Sequence, residues 1–82
     1  MNRVTFTKEA KADIRGIEQR QALVILKAID RLSKFGIGDI QKLEDDARAR
    51  YRLRVGDWRV FFRFGDRSAV HVVGAENRKD AY

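Results

Sequence analysis

Residues 50–64 read RYRLRVGDWRVFFRF. Two runs, Arg50–Val55 and Trp58–Phe64, alternate with the period of two expected of half-buried strands. Gly56-Asp57 separates them, and a two-residue turn with glycine first suits a type II′ hairpin. With Val55 and Trp58 flanking that turn, one face sets Tyr51 opposite Phe62, Leu53 opposite Val60 and Val55 opposite Trp58. The other face sets Arg50 opposite Arg63, Arg52 opposite Phe61 and Arg54 opposite Arg59. Like charges directly across an antiparallel pair are destabilising. A hairpin selected only to fold has no reason to carry two Arg–Arg pairs, so the sequence implies an anion that neutralises them. By the same reasoning, removing Arg54 or Arg59 is expected to leave stability equal or higher.

Arginines on an outer strand face are ordinarily just solvated. Two counts argue for more here. Seven of the twelve arginines fall between Arg48 and Arg67 against only Asp57 and Asp66, so this window holds +5 of the formal net charge of +6. It contains no lysine, although six occur elsewhere. The planar guanidinium fork matches phosphate in a bidentate way and stacks on bases, which a lysine ammonium cannot do.

Outward from the hairpin, the 82 residues are expected to form one domain, 1–82, with a modest core. An apolar content of 44% is that of a globular chain. Cysteine is absent, which excludes disulfides and thiolate metal sites. No apolar run reaches membrane-spanning length and Met1–Ala10 lacks a signal-peptide core, so the expectation is a cytoplasmic protein with no membrane partner. The basic balance favours nucleic acid as the anionic partner.

Arg3–Phe6 reads as a short strand with Val4 and Phe6 facing inward. Thr7 is a good N-cap for a helix from Lys8 to about Glu18, with Ala10, Ile14 and Ile17 as its buried stripe. A second helix, about Arg20 to Phe35, carries Ala22, Ile25, Leu26, Ile29, Leu32 and Phe35 on its apolar face, and Gly36 suits its left-handed stop. Residues 37–49 are the least legible, with Ile40 or Leu43 anchoring a brief extended piece. The acidic run Glu44-Asp45-Asp46 has no second ligand group and reads as solvated rather than metal-binding. A last strand, Ala69–Ala75, places Val70 opposite Phe64 and Val72 opposite Phe62. His71 then falls beside Arg63, Val73 beside Phe61 and Ala75 beside Arg59. The fold class is α+β: an N-terminal strand, a helical hairpin and a three-stranded antiparallel meander, in the order β-α-α-β-β-β. Arg50, Arg52, Phe61, Arg63 and His71 are candidate substrate-binding residues on the basic face, with Phe61 as a surface for base stacking.

YRLRVGDWRVFFRF, followed by VHVVGAENRKDAY, resembles the RelE/ParE superfamily of bacterial toxins from type II toxin–antitoxin systems, in its RelE-like branch. The resemblance covers nearly the whole chain. It rests on the basic–hydrophobic–basic pattern, the Gly-Asp-aromatic-Arg element and a late arginine a few residues before a tyrosine. It implies a ribosome-dependent endonuclease that cuts mRNA in the A site without metal or other cofactor. In that chemistry the ribose 2′-OH attacks the adjacent phosphate and leaves a 2′,3′-cyclic phosphate. By position it implies electrostatic stabilisation by Arg54, Arg59 and Arg78, backbone grip by Arg52, and a nucleophile-orienting or proton-transfer role for Tyr82. It also implies a cognate antitoxin as partner, with operator DNA engaged only through the antitoxin complex. Two departures from the family matter. Arginine at 52 and 54, where relatives often carry lysine, cannot serve as a base. Glu76 stands where some members have a second arginine. Tyr82, His71 and Glu76 therefore remain as candidate proton acceptors. A ParE-like inhibitor of DNA gyrase and a non-catalytic nucleic-acid-binding module are the alternatives.

Overall fold

The computed structural model describes residues 3–81. Strand β1 (Val4–Phe6) leads into helix α1 (Lys8–Arg15), which Thr7 caps by accepting a hydrogen bond from the Ala10 N–H at 3.1 Å. Helix α2 (Gln19–Phe35) follows after a tight corner and stops at Gly36, whose φ of 67° only glycine adopts without strain. Four strands complete the chain: β2 (Asp39–Lys42), β3 (Tyr51–Val55), β4 (Trp58–Phe64) and β5 (Val70–Asn77). They form one five-stranded sheet in the order β1-β5-β4-β3-β2. The meander is antiparallel, and β1 joins its far edge parallel to β5.

The β3–β4 register is the one the alternation predicts: Tyr51 pairs with Phe62, Leu53 with Val60 and Arg54 with Arg59. Gly56 has φ of 60° and Asp57 is not in the left-handed region, as a type II′ turn requires. Leu53, Val60, Phe62, Val70 and Val72 point from the sheet into a core completed by Ala10, Ile17, Ile25, Ile29 and Leu32 of the helical hairpin. The arginines are left on the opposite face.

Four sequence expectations change. Helix α1 ends at Arg15, three residues early, because the chain turns at Gly16. The brief extended piece around Ile40 is a full edge strand, β2, paired with β3 from Asp39 opposite Arg54 to Lys42 opposite Tyr51. On α2, Leu26 and Phe35 are 39% and 69% exposed, whereas Ser33 is buried and donates its hydroxyl to the Asp30 carbonyl.

The last change bears on the site. Val70, His71 and Val72 pair with Phe64, Arg63 and Phe62 as predicted, but an irregularity between Phe61 and Phe62 then shifts the register. Phe61 faces Gly74 rather than Val73, and Arg59 faces Glu76 rather than Ala75. This bulge has partners in the N-terminal part of the chain. Thr7 Oγ1 donates to the Val73 carbonyl at 3.3 Å, and the Ala75 N–H donates to Asp13 Oδ2 at 3.0 Å. An extra residue in one strand re-aims every side chain beyond it, and here it turns Glu76 onto the arginine face.

Candidate functional site

The β3–β4 turn and the tail after β5 form one end of the arginine face. The Arg78 N–H donates to the Asp57 carbonyl at 2.7 Å, and Lys79 Nζ lies 3.4 Å from Asp57 Oδ2. These contacts fold the 3-10 turn Arg78–Ala81 back beside the hairpin. The result is a cleft of about 260 Å³ lined by Arg52, Arg54, Gly56, Asp57, Arg59 and Arg78. Four guanidinium groups from β3, β4 and the tail thus share one concavity.

The charges are partly balanced from within. Arg59 Nη2 lies 2.7 Å from Glu76 Oε1, across the pairing the bulge creates. Arg52 Nη2 lies 3.5 Å from Asp39 Oδ1, on the edge strand. The Nε atoms of Arg52 and Arg59 are buried without a hydrogen-bond partner. Arg54 reaches only the Gly56 carbonyl, at 3.4 Å, and no ion pair among the described residues involves Arg54 or Arg78. Arg59 is therefore not the unbalanced charge that the Arg–Arg pairing suggests, and an external anion is not its sole source of neutralisation. Among the described residues, the positive charge of the cleft left without an ion pair is that of Arg54 and Arg78.

At the other end of the face, Asp46 holds Arg50 in a fork. Asp46 Oδ2 accepts from the Arg50 backbone N–H at 2.9 Å and from Nε at 3.1 Å, while Oδ1 accepts from Nη2 at 3.1 Å. These bonds hold the Asp46 carboxyl below its ordinary pKa and raise that of Arg50. Asp46 of the acidic run thus serves an arginine. Among the described residues no three His, Cys, Asp or Glu side chains converge. Arg50 Cζ sits 5.1 Å from the centroid of the Phe61 ring, a cation–π distance that already occupies one side of the aromatic.

His71 lies outside the Arg52–Arg78 cleft. Its Nδ1 is hydrogen-bonded to Thr5 Oγ1, and a β-carbon built on Gly65 would fall 2.2 Å from its Nε2. The imidazole is thus clamped between β1 and the turn after β4, in a separate depression with Arg3, Asp66 and Arg67. Tyr82 lies outside the described residues. Of the predicted site residues, Arg52, Arg54, Arg59 and Arg78 are brought together in the cleft, and Arg50 and Arg63 line a second cavity with Arg48. Sequence reading missed Asp39 and Asp46 as arginine partners. A signal existed only for Asp46, four residues before Arg50 in a turn-rich stretch.

No protein-family model matches the chain, and no curated protein matches it. Solved structures do. The archaeal RelE–RelB complex from Pyrococcus horikoshii contains a chain 22% identical, with a TM-score of 0.76 over 94% of both chains. The RelBE2 toxin–antitoxin complex from Mycobacterium tuberculosis gives 22% identity and a TM-score of 0.79, covering 94% of this chain and 91% of the other. The RelB–RelE antitoxin–toxin complex from Methanococcus jannaschii gives 19% and 0.76, over 95% and 94%. The chain thus shares, nearly end to end, the fold seen in these RelE–RelB complexes.

Proposed function

We infer that this chain is the toxin of a type II toxin–antitoxin module and acts as a ribosome-dependent, metal-independent mRNA endonuclease. The observation that carries the reading is the cleft where Arg52, Arg54, Arg59 and Arg78 converge from three separate elements. A phosphodiester undergoing in-line attack by its neighbouring 2′-OH gathers negative charge on the non-bridging oxygens. Fixed guanidinium donors in a concave, partly dehydrated site stabilise that charge without having to reorganise. Arg54 and Arg78 bind the phosphate first, since no ion pair among the described residues holds either of them. Arg59 joins as Glu76 releases it, and Arg52 holds the backbone alongside.

The new bond joins the 2′-oxygen to phosphorus, and the bond to the 5′-oxygen breaks, leaving a 2′,3′-cyclic phosphate and a 5′-hydroxyl. One group must take the 2′-OH proton and another must supply the proton that the leaving oxygen acquires. The resemblance assigns Tyr82 to this proton traffic. Glu76, 2.7 Å from Arg59 at the edge of the cleft, is a described carboxylate able to accept a proton, whereas Asp57 in the lining is tied to Lys79.

A cognate antitoxin fits the rest of the surface. Leu23, Val24 and Leu26 stand 39–57% exposed on α2, beside an apolar groove formed by Phe6, Ile14 and Leu26. An antitoxin segment with apolar and acidic residues would cover that groove or neutralise the arginines, and operator DNA would be met through the antitoxin. No helix among the described residues is long and apolar enough to cross a membrane.

The test is a purified translation system programmed with a defined mRNA, with both new ends mapped. Cuts confined to ribosome-bound message, ending in 2′,3′-cyclic phosphate and lost in Arg54→Ala, are expected. Translation that proceeds uncut while the chain still binds RNA would replace this reading with the non-catalytic binding module. Uncut translation with gyrase inhibition would move it to the ParE-like branch.

A further inference from the structure

The arginine face has a second basic cavity, of about 480 Å³, that the reacting cleft does not use. Thr7, Glu9, Arg48, Arg50, Arg63 and Val73 line it. Three guanidinium groups there meet one lining carboxylate, and no ion pair among the described residues involves Arg48 or Arg63. Arg50 is fixed in place by the Asp46 fork. The loop that delivers it contains Ala49 at φ 53°, a conformation an alanine holds only when the surroundings enforce it. The geometry around Arg50 is thus imposed, not incidental.

The two cavities stand in register with one strand. Side chains two apart on a strand share a face, so Arg54 and Arg52 of β3 and Arg50, which just precedes it and bonds to Leu43, follow one another in steps of about 6.8 Å. Arg54 lines the first cavity and Arg50 the second, roughly 14 Å apart by that rise. That spacing matches two phosphate steps of an extended single strand. Arg52, at the inner side of the first cavity, is directly opposed to Phe61, the one aromatic on this face of the hairpin.

We propose that the Arg48–Arg50–Arg63 cavity is a second phosphate site for the same single-stranded RNA whose scissile phosphate occupies the Arg54–Arg78 cleft. The strand then runs along β3, with one base lying over Arg52 and Phe61. This rests on the functional reading above, and it adds a direction to the RNA path and a role for Arg48.

The test uses the whole chain and two uncleavable probes, fluorescein-labelled 2′-O-methyl tetrauridylate and diuridylate, titrated by anisotropy across a salt series. Only the longer probe has enough internal phosphates to reach both cavities. Arg63→Ala is expected to lower the slope of log affinity against log salt by about 0.7 for the tetranucleotide, the value of one phosphate contact to a single strand. It should also bring the tetranucleotide-to-dinucleotide affinity ratio down towards that of Arg54→Ala, which disables the other cavity. Arg48→Ala repeats the test from the loop, in case Arg63→Ala disturbs β4. A loss of slope and ratio in either variant, with its melting temperature retained, supports the second site. Both variants keeping the wild-type slope and ratio would overturn it. The functional reading fails separately, by the absence of ribosome-dependent cuts, whatever these titrations give.

Discussion

Glu76→Gln probes the balance of charge that the bulge creates. The Glu76–Arg59 pair is short, at 2.7 Å, but its side chains are 45% and 29% accessible. A pair that exposed is worth about 0.5 kcal/mol. Removing the carboxylate also leaves Arg59 facing Arg54 with no counter-charge, a cross-strand repulsion of roughly 0.2–1 kcal/mol. The sum, about 1 kcal/mol, lowers the melting temperature of a domain this size by roughly 4–8 °C. Three features separate this cause from a general packing defect. The loss should shrink in high salt, where screening acts within about 3 Å at 1 M. Arg54→Ala in the Glu76→Gln background should restore most of it. Inorganic phosphate should stabilise Glu76→Gln more than the parent chain, because Arg59 is then free to bind it. Thermal unfolding followed by circular dichroism at low and high salt, with and without phosphate, reads all three. A melting temperature unchanged at low salt, or a loss as large in high salt as in low, would refute the reasoning.

Other consequences follow from particular contacts. Asp46→Asn should lower stability at neutral pH by weakening the fork on Arg50. Because the folded state holds the Asp46 carboxyl below its ordinary value of 3.8, that stabilisation is complete above about pH 4 and disappears as pH falls through the lowered pKa. Melting curves of parent and variant should therefore converge in acid. Gly65→Ala should be destabilising, since its β-carbon would fall 2.2 Å from His71 Nε2, and the effect should largely vanish in a His71→Ala background. Differential scanning of the two single variants and the double variant checks this. Tyr82→Phe should slow single-turnover cleavage by roughly 100-fold or more, against less than about 10-fold for His71→Gln. A larger effect from His71→Gln than from Tyr82→Phe would exchange the two roles.

The hairpin was legible because two independent signals agree there. Period-two alternation fixes which side chains share a face, and Gly56-Asp57 fixes the offset between the strands. The register beyond Val72 was not, because VVGA is apolar or small in either alignment. What selects the bulge is contact with Thr7 and Asp13, sixty-odd residues earlier, and no local pattern records it. Strand β2 was hard to read for a different reason. It is a four-residue edge, DIQK, with only Ile40 facing the core. Leu26 and Phe35 followed the helical period of the buried stripe yet lie outside it, since the sheet covers a narrower arc of α2 than the apolar pattern spans. The arginine cleft was foreshadowed residue by residue, but its internal carboxylates were not. Asp39 and Glu76 reach Arg52 and Arg59 only through strand pairing.

Those carboxylates change how the site must work. Four guanidinium groups stay charged at any pH the fold survives, so none of them supplies a titrating step. On the proposed nuclease reading, any pH dependence of cleavage has to arise elsewhere. His71 is held in another depression by Thr5 and Gly65, which separates it from the cleft. Glu76 is at the cleft but tied to Arg59, and an arriving phosphate competes for the same guanidinium. If the proposed RNA is the substrate, its binding and the release of Glu76 are one event, which would free a carboxylate beside the reacting group only when the phosphate is already in place. On that reading Glu76, paired with Arg59 at the edge of the cleft, would gate the site even where Tyr82 handles the proton.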